Sequence, residues 1–360
     1  MKNETSKSKF LNKGDFSKEL RTSINEYFVS KGIKKTGDWR LFSKTIILFS
    51  LFLGSYCILV FSHAPPWIKI PICFLISLVI VAIGFCVMHD AIHGSYSSSK
   101  NLNYIMGLSL NFLGGNNFLW KKKHNDIHHK NTNIDGLDED IEAQPMLRLH
   151  NNQEWLPRHK YQHKWWYWMT VYGLLYLVWI WGNDYQKYFT KKILNQKINL
   201  SLKEHFIFWI SKIFYVTIFL VVPIFYLGFW PVVISYFFIM ILCGIILAVT
   251  FQLAHVVLGL EQKVVEQVKG VEFFEHQIAT TANFATNNKI VTWFVGGLNF
   301  QIEHHLFPKI SHIHYPEISK IRKSICNKWN ISSIEYETVS DAIKNHVLML
   351  KFLGQRPVCH

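Results

Sequence analysis

Residues 165–182 read WWYWMTVYGLLYLVWIWG, and whether this stretch crosses a membrane or lies along one decides the fold. The 360-residue chain around it is 50% hydrophobic, 16% aromatic and only 17% charged, well to the apolar side of a soluble domain. A spanning helix needs about 20 mostly apolar residues. Residues 45–61, 68–88, 206–227 and 232–253 come close to that length or reach it. Lys and Arg accumulate in short loops on the cytoplasmic side. The turns SHAPPW (62–67) and GFWP (228–231) contain neither, so each reads as the outer turn of a helical hairpin. Residues 165–182 differ, being preceded by RHKYQHK and followed by YQKYFTKKILNQK, two basic flanks that both belong inside. Their WWYW opening has the composition of a membrane interface. The stretch is therefore expected to lie along the membrane, with a fifth crossing as the alternative. The expected architecture is all-α and multi-pass, with four transmembrane helices in two hairpins, interfacial helices, and both termini cytoplasmic.

The formal charge of +14 is spread beside the apolar segments, which favours a membrane surface over nucleic acid as its partner. Cys57, Cys73, Cys86, Cys243, Cys326 and Cys359 form no CxxC pair, and four of the six lie in apolar runs, so they read as small hydrophobes. Residues 1–44 are polar and basic without a signal-peptide core, and are expected to form a cytoplasmic segment ahead of one membrane domain, 45–360. NYIMGLSLNFLGG, 103–115, is too short to cross and suits a re-entrant or interfacial element.

The 18 histidines cluster. HDAIH places His89 and His93 at i,i+4, on one helical face just after the second apolar stretch, and HNDIHH gives His124 and His128 the same spacing with His129 further round. FQLAH ends the last apolar stretch with His255, and QIEHH supplies Gln301, His304 and His305. In the four-crossing topology every cluster falls on the cytoplasmic face, whereas a fifth crossing would divide them. Adjacent histidines diverge on a helix, so pairs such as His128 and His129 suit two metals better than one. Imidazole accepts zinc, copper, iron or nickel. A site this rich in histidine and free of cysteine is unlike a closed structural zinc centre, and a redox metal, iron, is favoured.

HDAIH, HNDIHH and GGLNFQIEHHLFP (296–308) resemble, in order and spacing, the three histidine boxes of the integral-membrane fatty acid desaturases. The glutamine form of the third box is similar to that of the front-end type, which includes linoleoyl-CoA, delta-6 and delta-5 enzymes. The resemblance covers roughly residues 68–315. It implies a cytoplasmic diiron cap in which two iron ions use O2 and outside electrons to desaturate a long fatty acyl chain. On this resemblance His89, His93, His124, His128, His129, His304 and His305 are ligands and catalytic residues, and His255 resembles the additional ligand of acyl-CoA desaturases. Gln301 stands where many relatives have histidine, either as a weak ligand or as a partner of metal-bound water. Many front-end enzymes carry a fused cytochrome b5 domain with a His-Pro-Gly-Gly motif, which these 360 residues do not contain. Electrons are thus expected from a separate ferredoxin or cytochrome b5 docking on the basic face.

The substrate, an acyl-CoA or acyl-lipid, is expected in a narrow apolar tunnel beneath the histidines, walled in part by residues 165–182. Asp90, Asp126 and Glu303 are candidates for orienting ligand imidazoles, or else solvate helix ends. His159 and His163 could meet an anionic headgroup or face solvent. His312 and His314 suit structural roles as well as ligation, and His276 has no assigned role. Residues 121–123, KKK, fit the positive-inside rule, and the Asn330 glycosylation motif is a chance match on a cytoplasmic segment. The rival functions are a membrane diiron hydroxylase of alkyl, sterol or carotenoid substrates and a histidine-rich metal transporter. Chain length, double-bond position and acyl carrier are not written in the sequence.

Overall fold

The computed structural model describes residues 10–11 and 14–357, so residues 1–9 and Cys359 lie outside the described part. The chain is mostly helical, with α1 (Asp15–Ser30), α2 (Trp39–Phe61), α3 (Pro66–His93), α4 (Lys100–Gly107), α5 (Trp165–Val178), α6 (Leu202–Leu227), α7 (Phe229–His255), α8 (Phe273–Thr280), α9 (Gln301–Leu306), α10 (Tyr315–Lys328) and α11 (Val339–Gly354) as its principal helices. Local signals set their ends. The Asp38 carboxylate caps α2 by accepting the Arg40 N–H at 2.9 Å, and Ser201 caps α6. Pro66 occupies the first turn of α3, where its missing N–H costs no bond. Gly228, at φ +81°, reverses the chain between α6 and α7, a conformation other residues resist.

Four helices are long and apolar enough to cross a membrane: α2, α3, α6 and α7. Each runs past its sequence-derived limit toward one end of the molecule, starting at Trp39 and Leu202 or finishing at His93 and His255. The short connections Ser62–Pro65 and Gly228 join the hairpins at the opposite end. At the histidine end the Gly37 N–H donates to Ser95 O, and the Tyr96 hydroxyl lies 2.9 Å from Thr45 Oγ1, tying the start of α2 to the finish of α3. Of the five described cysteines four are buried and all are free.

Residues 165–190 form one helical run, with α5 continued by a π-helical turn and a last segment, Asp184–Thr190. It is not among the four candidate spans. Both of its ends stay with the histidine-bearing elements. Near its start the Tyr167 hydroxyl donates to Met146 O at 2.7 Å, and Tyr172 pairs with His346, which itself bonds to Val256 O, one residue past His255. Near its finish Lys187 pairs with Glu139, in the loop that follows HNDIHH. A crossing helix would carry one end away. The run is held on α7 by Gly173 against Gly244, where a Cβ would meet Gly173 O at 2.5 Å and Tyr172 O at 2.6 Å. A buried Lys212–Asp184 pair, with Lys212 also donating to Gly114 O and Ile180 O, clamps the run to α6 and to the 103–115 element, which is two short helices.

The rest of the chain caps the histidine end. Phe16, Leu20 and Ile24 of α1 share a core with Ile318 and Ile325 of α10, so the described part of the N-terminal segment is packed into the cap. Strand β1 (Ala282–Phe284) pairs in parallel with β2 (Ile334–Tyr336), aligning Ala282 with Ile334.

Candidate metal centre

The backbone departs from the α-helix where it presents histidines. A π-helical turn, Gly84–Met88, leads into HDAIH, whose single α-helical turn keeps His89 and His93 together. HNDIHH is different. Lys122–Ile127 is π-helical and His128–Lys130 is a 3-10 turn, so the even α-helical spacing expected for His124 and His128 is not present. The change of pitch sends them principally to different groups.

His89, His93, His124 and His304 form one group, with ligand atoms all within 4.8 Å of one another. His129 joins it through His124, the two Nε2 atoms being 3.1 Å apart, and His129 also groups with His304 and His305. His128, His255 and His305 form the second group. The Gln301 amide belongs there, its Nε2 position 2.9 Å from His255 Nε2 and 3.3 Å from His305 Nε2. The first two groups divide each adjacent pair, His128 from His129 and His304 from His305, as diverging neighbours on a helix predict for two metals, while His129 also lies near both His304 and His305, and His124 meets His128 beside Asp140. His89, His124, His128, His129, His255, Gln301, His304 and His305 are all buried.

Outside these groups, side chains hold the imidazoles by their other nitrogens. His128 Nδ1 lies 2.9 Å from Asp138, whose carboxylate also accepts the Asn133 and Asp140 N–H groups. Asp140, held by Lys123 at 2.6 Å, comes within 3.3 Å of the same nitrogen. His304 Nδ1 meets the Tyr315 hydroxyl at 3.1 Å. His305 Nδ1 lies 2.8 Å from Gln277 Oε1 and 3.2 Å from Thr132 Oγ1, and His276 Nε2 is 2.9 Å from the Thr132 carbonyl.

None of the three carboxylates proposed from sequence touches a histidine of either group. Asp126 makes exposed ion pairs with Lys122 and Lys130, the solvating role. Asp90 accepts from Ser311 and lies 3.0 Å from His312, tying the first box to the segment after the third. Glu303 is locked in a buried pair with Arg322 at 2.8 Å and accepts from Asn283. Lys123 does more than bias topology, since it is the counter-charge of Asp140. His159 closes a local turn through Leu156 N and Pro145 O, and His314 lies 3.3 Å from Thr36 O. His163 joins neither group. The groups missed from sequence, Asp138, Gln277, Thr132 and Tyr315, had one detectable signal: the acidic run DGLDED at 135–140 in a basic chain.

Burial holds His124, His129, His304 and His305 well below the usual imidazole range, and the neighbouring imidazoles add to the shift. Burial opposes charge on His128 as well, but Asp138 and Asp140 more than offset it and raise its pKa. Neutral buried imidazoles are donor groups for a cation. The Nε2 atoms of His93, His128 and His304 have no hydrogen-bond partner, and neither has Gln301 Oε1. His124 Nε2 faces two other Nε2 atoms, those of His89 and His129, at 3.1 Å each. Buried polar atoms without partners are costly. A metal ion in each group would resolve this frustration, so the donor set fits two ions.

An apolar passage begins at the first group. His89 and Trp120 line a narrow apolar cavity, walled also by Tyr176 and Trp179. Ile80, Leu113 and Tyr176 also line a second small apolar cavity lying among α2, α3, α6 and α7. Residues 165–182 contribute Tyr176 and Trp179 to this apolar lining beneath the first group. Trp165 is 73% exposed, and Trp168 packs in a separate cluster with Met349 and Leu353.

Four long apolar helices, and a capped end whose two buried histidine groups suit metal ions beside an apolar cavity, define a multi-pass membrane protein. The chain belongs to the fatty acid desaturase family, whose pattern matches residues 65–336. It is 32% identical to the sn-1 linoleoyl-lipid 6-desaturase of Arthrospira platensis over 99% of this chain and 97% of that protein. It is 31% identical to the enzyme of the same name from Synechocystis over 96% and 98%, and 30% identical to the acyl-lipid (8-3)-desaturase of Physcomitrium patens over 94% and 72%. The protein is a fatty acid desaturase enzyme.

Proposed function

We propose that this desaturase inserts a cis double bond into an acyl chain of a membrane lipid, on the carboxyl side of an existing double bond, at a pair of iron ions. The observation that carries the reading is the division of each adjacent histidine pair between two buried groups, one of which opens on an apolar passage. The relatives named as linoleoyl-lipid and acyl-lipid desaturases support the substrate class and the front-end position.

His89, His93, His124, His129 and His304 would hold one ion, and His128, His255 and His305 the other, with Gln301 turning its amide oxygen toward the second. An amide's oxygen and nitrogen are interchangeable by rotation, so this orientation costs no change of position. An iron pair held there would supply the redox chemistry, in which O2 takes two electrons and two hydrogens from adjacent methylenes, two more electrons from an outside carrier and two protons from solvent, and leaves as two waters. Unactivated C–H bonds offer side chains no acid, base or leaving group to work on, so that chemistry is the cofactor's. The chain's own residues orient the ions, disfavour protonation of His124, His129, His304 and His305 by burial, and seat the acyl chain in a passage that excludes water. Asp138, Gln277 and Tyr315 fix the ligand rings.

The histidine end faces the cytoplasm, since the two hairpin turns at the far end carry no Lys or Arg between the spans. There an acidic ferredoxin or cytochrome b5 supplies electrons. The test is fatty acid analysis with double-bond localisation in a host that provides both carriers. A new double bond between an existing one and the carboxyl group, absent with His304→Ala, is expected. Hydroxylated products from well-expressed protein would contradict the reading.

A further inference from the structure

A second, broader cleft is separate from the acyl passage. It lies on the other side of α3, between the start of α2, the helix Lys289–Phe294 and the first turns of α10, and is open to solvent. Five of its lining residues are basic, namely Arg40, Lys44, Lys289, Lys320 and Lys323, against one carboxylate, Glu317. Part of that charge is already paired: Arg40 with Asp38, Lys320 with Glu317 and Lys323 with Glu335, while Lys44 donates to Trp293 O. Among the described residues Lys289 has no ion-pair partner. The surplus of positive charge remains.

Two further observations point to an occupant. Ser319 is only 3% exposed, lines the cleft and leaves its hydroxyl oxygen without a partner. Trp39 and Trp293, 74% and 47% exposed, also line it, and Ile290 beside them is 81% exposed, an aromatic and apolar rim of the kind found at headgroup level. The cleft is separate from the acyl passage. The α3 backbone stands between them, with Phe85 on the passage side and Cys86 Sγ 3.5 Å from Trp293 O on the cleft side.

We propose that this cleft binds the phosphate headgroup of an anionic glycerophospholipid that is not the reacting substrate. Lys289 and Lys320 meet the phosphate, Ser319 donates to it, and the acyl chains descend past Trp39 and Ile290. The site bears on the metal centre through two contacts. Ser319 and Glu317 belong to α10, whose Tyr315 holds His304, and His312 lines the cleft while pairing with Asp90. A bound headgroup would therefore brace the backing of both boxes.

Native mass spectrometry of the full chain in detergent tests the site without needing activity, so it stands or falls apart from the reaction assigned above. The probes are phosphatidylglycerol, phosphatidylcholine and free glycerol 1-phosphate. Wild type is expected to retain phosphatidylglycerol over phosphatidylcholine by roughly tenfold or more, at about 1 kcal/mol per basic residue. The Lys289→Glu/Lys320→Glu variant should lose that preference while keeping its lipid-free melting temperature. If the reversal itself lowers that temperature, Lys289→Gln with Ser319→Ala carries the same test. Equal retention of the two lipids, or a preference unchanged in the variants, would overturn the proposal. So would glycerol 1-phosphate protecting the protein as well as the whole lipid does, since that outcome assigns the cleft to a free anion.

Discussion

At the scale of single residues, the centre depends on groups that sit far from the histidines in sequence. Asp138 follows His128 by ten residues, Gln277 precedes His305 by 28, and Tyr315 follows His304 by 11. Partners of this kind fix ring orientation and raise ligand basicity, and their loss typically costs 10–100-fold in metal affinity or activity. Asp138→Asn should therefore lower iron retained after purification, and activity with it, by about that factor. Iron measured by plasma mass spectrometry in folded protein checks this, and unchanged iron would show that the carboxylate only caps the 138–141 turn. The histidines themselves were legible, because spacing and clustering are local properties of sequence. The groups that orient them were not, because tertiary folding alone brings them near. Asp90 and Glu303, adjacent to ligands in sequence, point away to Ser311 and Arg322 instead.

At the scale of elements, flanking charge and hydropathy agree in leaving the aromatic helix out of the four spans. Residues 165–182 raise a fifth crossing as an alternative, yet their basic flanks call for both ends on one side, and the helical run 165–190 returns to Glu139 near the second box. Pitch was invisible. Nothing in an apolar pattern distinguishes an α-helical from a π-helical turn, so the separation of His124 from His128 had to come from the structure. The same limit hid which face of the aromatic helix lines the passage. Its π-helical turn begins at Trp179, which reaches the cavity beside His89, whereas Trp165 faces outward. Trp179→Ala should shift the distribution of acyl-chain lengths accepted, and Trp165→Ala should leave it unchanged. Product analysis across substrates of graded length decides the matter, and the opposite ranking would remove α5 from the passage wall.

At the scale of the whole molecule, two hairpins with short far-end turns bring His93, His255 and the cap to a single end, and this is why clusters from residues 89 to 305 can meet. The four spans were readable from length and composition. A histidine-rich cap was expected too, but its internal build was not readable, since the parallel pairing of β1 with β2 and the packing of α1 on α10 depend on long-range contacts among ordinary polar segments. The central claim is that the chain folds around two metal ions, each adjacent histidine pair divided between them. Anomalous diffraction at the iron edge on iron-loaded protein tests it most directly. The account predicts two peaks, one among His89, His93, His124, His129 and His304, the other among His128, His255, His305 and Gln301. A single peak, or one bridged by both members of an adjacent pair, would contradict it.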